Sequence, residues 1–352
     1  MNMNADQSER ERLVAMIDGF WAMQAIGTAT ALGIPDLLAR EPHDDTSLAK
    51  AVRCNAAALQ RLMRALASLG LCTQVDDGRY ELTGMGRLLD PDAPESLHGW
   101  ARLRHTRWGA WGELEASVRD GRSSHHRRFA VDDYDELDDD AEQSSLFHRA
   151  MVDRTRSVAP HVLRAMRFDD GQRLVDVGGG SGELLLHILQ SRPSLRGVIY
   201  DRAHARAGAQ QRIESADVGE RCEFVAGSFF DGVPPAADAY LLKSVLHNWD
   251  DQRALVILRH CRGAMGSTAR LLIVERMAPE RWEANAAHQA VAESDLNMLV
   301  ARGGRERSGC EFQSLMRGAG LELTQTVPTG SEFHVLEARP DAHGATGQDT
   351  AA

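Results

Sequence analysis

The chain has 352 residues, 51 of them Asp or Glu and 40 Lys or Arg, for a formal net charge of -11. That length supports a sizeable core and about two domains, and the acidic balance argues against general affinity for nucleic acid or anionic membranes. Five scattered cysteines (Cys54, Cys72, Cys222, Cys261, Cys310) include no CxxC pair, so neither a disulfide framework nor a structural zinc site is expected and a cytoplasmic location fits best.

The chain opens on polar MNMNADQSERER, which lacks the apolar core of a signal peptide, and no later run approaches the roughly 20 apolar residues that span a bilayer. From Arg12 to Arg40 the residues Leu13, Met16, Ile17, Phe20, Met23, Ile26 and Leu32 recur at helical spacing. A helix that apolar needs a partner surface. TSLAKAVRCNAAALQRLMRALASLGLC reads as two short helices, and LGLCTQVDDGRYELTGMGRLL alternates around Asp77-Gly78 as a β-hairpin. The outline is that of a winged helix, but the second helix of the pair offers only Arg61 and Arg64, which argues against DNA contact. Residues 96–168 read as linker helices rich in aromatics (Trp100, Trp108, Trp111, Phe129, Phe147), interrupted by DDYDELDDDAE at 132–142, a run expected to be a solvated, mobile loop.

After Asp169 the pattern changes. Short β-like runs (RLVDV, GVIY, CEFV, AYLL, RLLIVE) alternate with helical stretches, which predicts a parallel sheet covered on both faces. LELTQTV and EFHVLEA, joined by PTGS, predict a hairpin that sets an antiparallel strand at the sheet edge. The expected organisation is a helical domain over 1–95, linker helices over 96–168, an α/β domain over 169–339 and a disordered tail over 340–352.

The stretch VDVGGGSG at 175–182 is a strand running into a glycine turn, where a doubly wound sheet places its ligand. A dinucleotide fingerprint fails: counted from Gly178 its last position is Glu183, and counted from Gly180 it is Leu185. No Gly-Lys-Ser/Thr follows, so a phosphate loop fails too. What remains is a glycine turn preceded by Asp176, with Asp201 closing the next strand, where a carboxylate can hold both ribose hydroxyls of an adenosine.

Together VDVGGGSG, Asp201, GSFF at 227 and LLKSVLHNWDD at 241 resemble the S-adenosylmethionine-dependent small-molecule O-methyltransferases; ATALGIPDLLA at 29–39 and YELTGMGRLL at 80–89 resemble that family's helical dimerisation domain. The likeness covers about residues 12–338. It implies a mostly α, winged-helix-like N-terminal dimerisation domain and an α/β, Rossmann-like methyltransferase domain with a seven-stranded sheet and an antiparallel edge strand. It also implies a homodimer that uses S-adenosylmethionine, and it replaces the DNA-binding reading of the winged-helix outline.

Position by position, the resemblance puts Gly178, Gly180 and Gly182 around the methionine part of the cofactor and Asp201 on the ribose. Ser228 stands where the family usually has an Asp that accepts from the adenine amino group, and a neutral hydroxyl accepts more weakly. Phe229 resembles the residue packed on adenine, and Lys243 the lysine near the cofactor. His247 resembles the general base; a simple phenol ionises near pH 10 and an imidazole near 6.5, so a neutral His can take the phenolic proton. Glu275 and Glu306 resemble glutamates that bracket the base, while Phe147, Met151, Asp295, Asn297 and Met298 resemble pocket-lining positions. Asp250 and Asp251 are expected to cap the helix that follows. No metal is expected. The implied acceptor is an aromatic hydroxyl, on a fused ring of phenazine or aromatic-polyketide type. The alternatives are an enzyme of this fold that no longer methylates, a ligand-binding winged-helix regulator and, most weakly, a nicotinamide oxidoreductase.

Overall fold

The computed structural model describes residues 8–129, 134 and 136–341. The chain divides into two compact units, Met1–Trp108 with Arg149–Arg154, and Gly109–His148 with Thr155–Ala352. None of the described helices is long and apolar enough to cross a membrane.

In the N-terminal unit the apolar stretch that reads as one helix is three: α1 (Glu9–Asp18), α2 (Phe20–Ala31) and α3 (Ile34–Arg40). The last break has a clear cause. Gly33 takes the left-handed conformation (φ 72°) and Pro35 sits in the first turn of α3, where its missing N–H costs nothing. Helices α4 (Asp45–Ala51) and α5 (Ala56–Ser68) are capped by the side chains of Asp44 and Asn55 and lead into a hairpin of β1 (Cys72–Gln74) and β2 (Tyr80–Leu82), turned at Gly78 (φ 85°). Ile34, Leu48, Leu59, Met63 and Tyr80 form its core. Helix α6 (His98–Thr106) lies against α2 so closely that a Cβ on Gly27 would approach His105 Cγ to 2.8 Å. Leu13, Met16, Ile17, Phe20 and Trp21 remain largely exposed among the described residues, forming an apolar stripe.

The second unit carries short helices α7 (Trp108–Trp111, which begins in the first unit), α8 (Leu114–Asp120), α9 (Ser124–Phe129) and α10 (Glu136–Asp139), then the long α11 (Ala141–Ala165). The acidic run is therefore not a plain solvated loop: Leu137 is buried and the Tyr134 ring packs on Trp249 and Phe147. Residues 132, 133 and 135 of that run lie outside the described residues.

Each of the seven expected β-runs becomes a strand: β3 (Arg173–Val177), β4 (Arg196–Asp201), β5 (Cys222–Ala226), β6 (Ala239–Lys243), β7 (Arg270–Glu275), β8 (Leu321–Pro328) and β9 (His334–Pro340). Their order is β5-β4-β3-β6-β7-β9-β8; β3 to β7 pair in parallel, while β9 runs antiparallel to both neighbours. Helices α12 (Glu183–Ser191), α13 (Arg206–Ser215), α14 (Asp251–Ala264), α15 (Ala286–Ala301) and α16 (Gly309–Gly318) complete the unit. Strands β3, β6 and β7 read as continuous apolar runs because two separate cores cover the two sheet faces. Chain order reverses between β3 and β6, the switch point at which open α/β sheets generally place their ligands. Pro340, expected to open a disordered tail, belongs to β9; residues 342–352 of that stretch lie outside the described residues.

Gly86, in a 3-10 turn after the hairpin, has no room for a side chain: a Cβ there would overlap the Leu71 carbonyl oxygen, which is backbone and cannot swing away. Gly86→Ala should cost about 1–3 kcal/mol, the usual range for overpacking. Denaturant unfolding measures this, and an unchanged midpoint contradicts the packing described.

Candidate active site

The glycine turn after β3 has all three expected glycines at positive φ: 71° for Gly178, 57° for Gly180 and 79° for Gly182. Gly182 is the N-cap of α12, and a Cβ on it would overlap the Ile199 side chain. The turn is thus a bare backbone cradle. Asp201, at the end of β4, accepts from Gly180 N (2.6 Å) with Oδ2 and from Arg202 N (2.7 Å) with Oδ1. Burial raises its pKa despite these two donors. Asp176 lies beneath the turn; burial, then the charge of Asp201, push it up to about 7, with Lys243 partly opposing. One buried and one half-buried carboxylate beside a bare turn fit a ligand that brings several hydroxyls and a positive charge, as S-adenosylmethionine does.

Other expected cofactor residues come to the same turn. A Cβ on Gly178 would meet Val245 Cγ2 at 2.9 Å and the Phe229 ring at 3.4 Å, so Phe229 walls the cradle on one side. Ser228 Oγ accepts from Phe230 N (3.2 Å), and its carbonyl accepts from Tyr200 Oη (3.0 Å). Lys243 ends β6 next to the turn, with Nζ near Ser244 Oγ (3.4 Å) and over the Phe333 ring.

The loop after β6 holds His247. Ser244 is forced to φ 55°, an uncommon conformation for a side-chain-bearing residue, and this curls the next residues around the end of β7. The backbone N–H groups of Val245, Leu246 and His247 converge on Glu275 Oε1 at 3.0, 2.9 and 3.4 Å. Such a nest of N–H donors suits a buried anion. Glu275 Oε2 lies 3.5 Å from His247 Nδ1, and Glu306 Oε1 lies 2.9 Å from the same nitrogen. All three side chains are buried. Burial acts to lower the His247 pKa, but the charges of Glu275 and Glu306 outweigh it and the net direction is up. Burial raises Glu275. The same burial effect on Glu306 is outweighed by His247 and by the Ser294 hydroxyl, so Glu306 is held low. Nε2 of His247 has no hydrogen-bond partner among the described residues. The imidazole is therefore gripped at one nitrogen and free at the other.

Several residues that build this arrangement were not singled out by the sequence. Ser294 Oγ donates to Glu306 Oε1 (2.6 Å). Arg307 is fully buried and donates to Leu246 O (2.8 Å), Trp249 O (2.7 Å) and Asp251 Oδ1 (2.9 Å). Glu275 thus takes the N–H groups of the His247 loop while Arg307 takes its carbonyls. Tyr134 Oη donates to Asn248 Oδ1 (2.8 Å), beneath the guanidinium of Arg302. Gly304 passes so close that a Cβ would overlap His247 O. The only sequence signal was adjacency: Arg307 follows Glu306, and Tyr134 is a lone aromatic in an acidic run.

One expectation changes. Asp250 caps α14 through Arg253 N (2.8 Å), but Asp251 faces Arg305 and Arg307 instead of capping. Asp295, expected to line the pocket, also accepts from the backbone N of Glu306 (2.8 Å). Asn297 and Met298 lie on the same helix, and Phe147 packs edge-on against His148. Met151, one turn beyond Phe147 on α11, falls in the segment grouped with the N-terminal unit.

A family profile described as the O-methyltransferase domain matches residues 111–322, and one described as the O-methyltransferase dimerisation domain matches residues 14–91. Phenazine O-methyltransferase PhzM of Lysobacter antibioticus is 36% identical over 93% of this chain and 95% of its own length. The crystal structure of LaPhzM superposes with a TM-score of 0.90 at 35% identity, covering 95% of this chain and all (100%) of that one. NcsB1, from neocarzinostatin biosynthesis, solved with S-adenosylmethionine and 2-hydroxy-5-methyl naphthoic acid, gives 0.77 at 30% identity over 90% of this chain and 95% of its own. The chain belongs to the S-adenosylmethionine-dependent O-methyltransferases that join a dimerisation domain to an O-methyltransferase domain.

Proposed function

We propose that this enzyme methylates a hydroxyl on a fused-ring aromatic acceptor, of phenazine or aromatic-polyketide type, with His247 as general base. The observation that carries the reading is the His247 imidazole, gripped at Nδ1 by two buried glutamates and free at Nε2, at the ligand end of the sheet. Relatives named for phenazine and naphthoic-acid chemistry support the ring class.

Gly178, Gly180, Gly182, Asp201, Ser228, Phe229 and Lys243 would hold the cofactor, which when bound supplies an electrophilic methyl and leaves as S-adenosylhomocysteine. The acceptor hydroxyl gives its proton to His247 Nε2. Glu306 orients the ring through Nδ1, and Glu306 with Glu275 stabilises the imidazolium that forms. Phe147, Asn297 and Met298 line the acceptor site, the thioether packing well on an aromatic face. Holding the acceptor oxygen in line and excluding water supplies much of the rate. His247, Glu275 and Glu306 could also offer a cation three ligand atoms within 4.8 Å of one another. Glu275 Oε1 is already filled by N–H groups and Nδ1 is already paired, so the cluster is assigned to proton transfer without a metal. The enzyme is proposed to be a cytoplasmic homodimer joined through its N-terminal unit, with no nucleic-acid partner.

For a weakly acidic phenol, His247→Ala should lower kcat about 10²- to 10⁴-fold, the usual contribution of general base catalysis, while affinity for S-adenosylhomocysteine stays within about twofold. An acceptor already ionised at the assay pH should lose far less; equal rates for variant and wild type on the weak phenol would sink the assignment.

The base works only when neutral, so kcat/KM should fall as pH drops through a His247 pKa that the glutamates hold above the ordinary imidazole value. Glu306→Gln removes one of those negative charges and should move this acid limb to lower pH. An unmoved limb contradicts the role of Glu306.

Met16 and Ile17 are each 64% exposed in the isolated chain. Met16→Asp with Ile17→Asp should convert a dimer to a monomer in light scattering. Persistence of the dimer places the interface elsewhere.

A further inference from the structure

His148 is nine-tenths buried, and its Nε2 lies 2.9 Å from His204 Nδ1. Helix α11 delivers His148, and the short 3-10 turn Ala203–Ala205 that follows Asp201 delivers His204. The other edge of His148 faces the glycine turn: a Cβ built on Gly180 would sit 3.5 Å from Nδ1 and 3.9 Å from Cε1. This Nδ1 has no hydrogen-bond partner among the described residues. A buried ring with one nitrogen held and the other aimed over a bare backbone turn is built to meet a ligand.

Burial, then the charge of His204, push the His148 pKa down to about 4, so the ring is neutral at physiological pH. A neutral imidazole donates at one nitrogen and accepts at the other. When His204 Nδ1–H donates to His148 Nε2, the proton of His148 sits on Nδ1 and points at the turn. The cofactor and its demethylated product share one anionic group, the amino-acid carboxylate. A neutral donor satisfies that carboxylate without repelling the sulfonium, as a buried Lys or Arg would.

We infer that His148, locked in one tautomer by His204, is a further cofactor-binding residue whose Nδ1–H donates to the carboxylate of the cofactor's amino-acid end. His204 is a positioning residue that acts through His148. The inference rests on the methyltransferase reading above.

Calorimetric titration of wild type, His148→Ala, His204→Ala and the double variant with S-adenosylhomocysteine and with 5′-methylthioadenosine, which lacks the amino-acid end, tests it. His148→Ala should weaken S-adenosylhomocysteine about ten- to hundredfold, as expected for a lost hydrogen bond to a charged group, and leave 5′-methylthioadenosine within about twofold. The double variant should bind no worse than His148→Ala, because His204 acts only through it. An unchanged S-adenosylhomocysteine affinity, or an equal loss for both ligands, overturns the inference. Should His148→Ala fail to fold, ¹⁵N spectra of the wild-type histidines decide: the His148 Nδ1 resonance should move on addition of S-adenosylhomocysteine and hold still with 5′-methylthioadenosine, and no movement overturns it. If wild type binds neither ligand, the methyltransferase reading itself fails and takes this inference with it.

Discussion

Burying one imidazole against two carboxylates is the constraint on which the rest of this site depends. Removing three ionisable groups from water costs several kcal/mol each unless every charge finds partners. Here the partners come from the backbone, from one serine and from the pairing of the three groups with each other, while one arginine holds the loop. Glu275 is neutralised by three converging N–H groups, Glu306 by Ser294 and by His247 itself, and the carbonyls of the same loop by Arg307. Each group that tunes the base also fixes the loop that carries it. Proton affinity and geometry therefore cannot vary independently, and the uncommon backbone of Ser244 is maintained because the loop is held from both sides.

The sheet topology brings this base to the cofactor cradle. Strands β3 and β6 are neighbours in the sheet although two strands and two helices separate them in the chain, and β7 lies on the other side of β6. The glycine turn, the His247 loop and Glu275 thus emerge side by side from three adjacent parallel strands. Phe229 and Val245 both touch Gly178, so the wall of the cradle is continuous with the loop of the base. The arrangement follows the general rule that open α/β sheets bind ligands where the strand order reverses.

Much of this was legible in the sequence, for reasons of locality. The seven strands announced themselves as short apolar runs, and the turn could be read because glycine alone tolerates its backbone angles. Candidate residues His247, Glu275 and Glu306 followed from motif resemblance, not from any pattern that brings positions 247, 275 and 306 together. The residues that were missed act through long-range contacts. Nothing local to Arg307 tells that its guanidinium will be fully buried beneath Leu246 and Trp249, and nothing in an acidic run tells that Tyr134 will reach Asn248. The single apolar helix expected over 12–40 failed differently: hydrophobic periodicity continues through Gly33, while the backbone there turns left-handed.

The measurement closest to the centre of this account is an NMR titration of the His247 imidazole in the free wild-type protein. If the two glutamates outweigh burial, as the geometry indicates, the midpoint lies above the ordinary imidazole value of about 6.5, and Nδ1 keeps its proton on the alkaline side. A midpoint below that value, or a ring whose proton rests on Nε2 when neutral, would mean that the carboxylates do not grip the base as described and that proton transfer at Nε2 is the wrong mechanism.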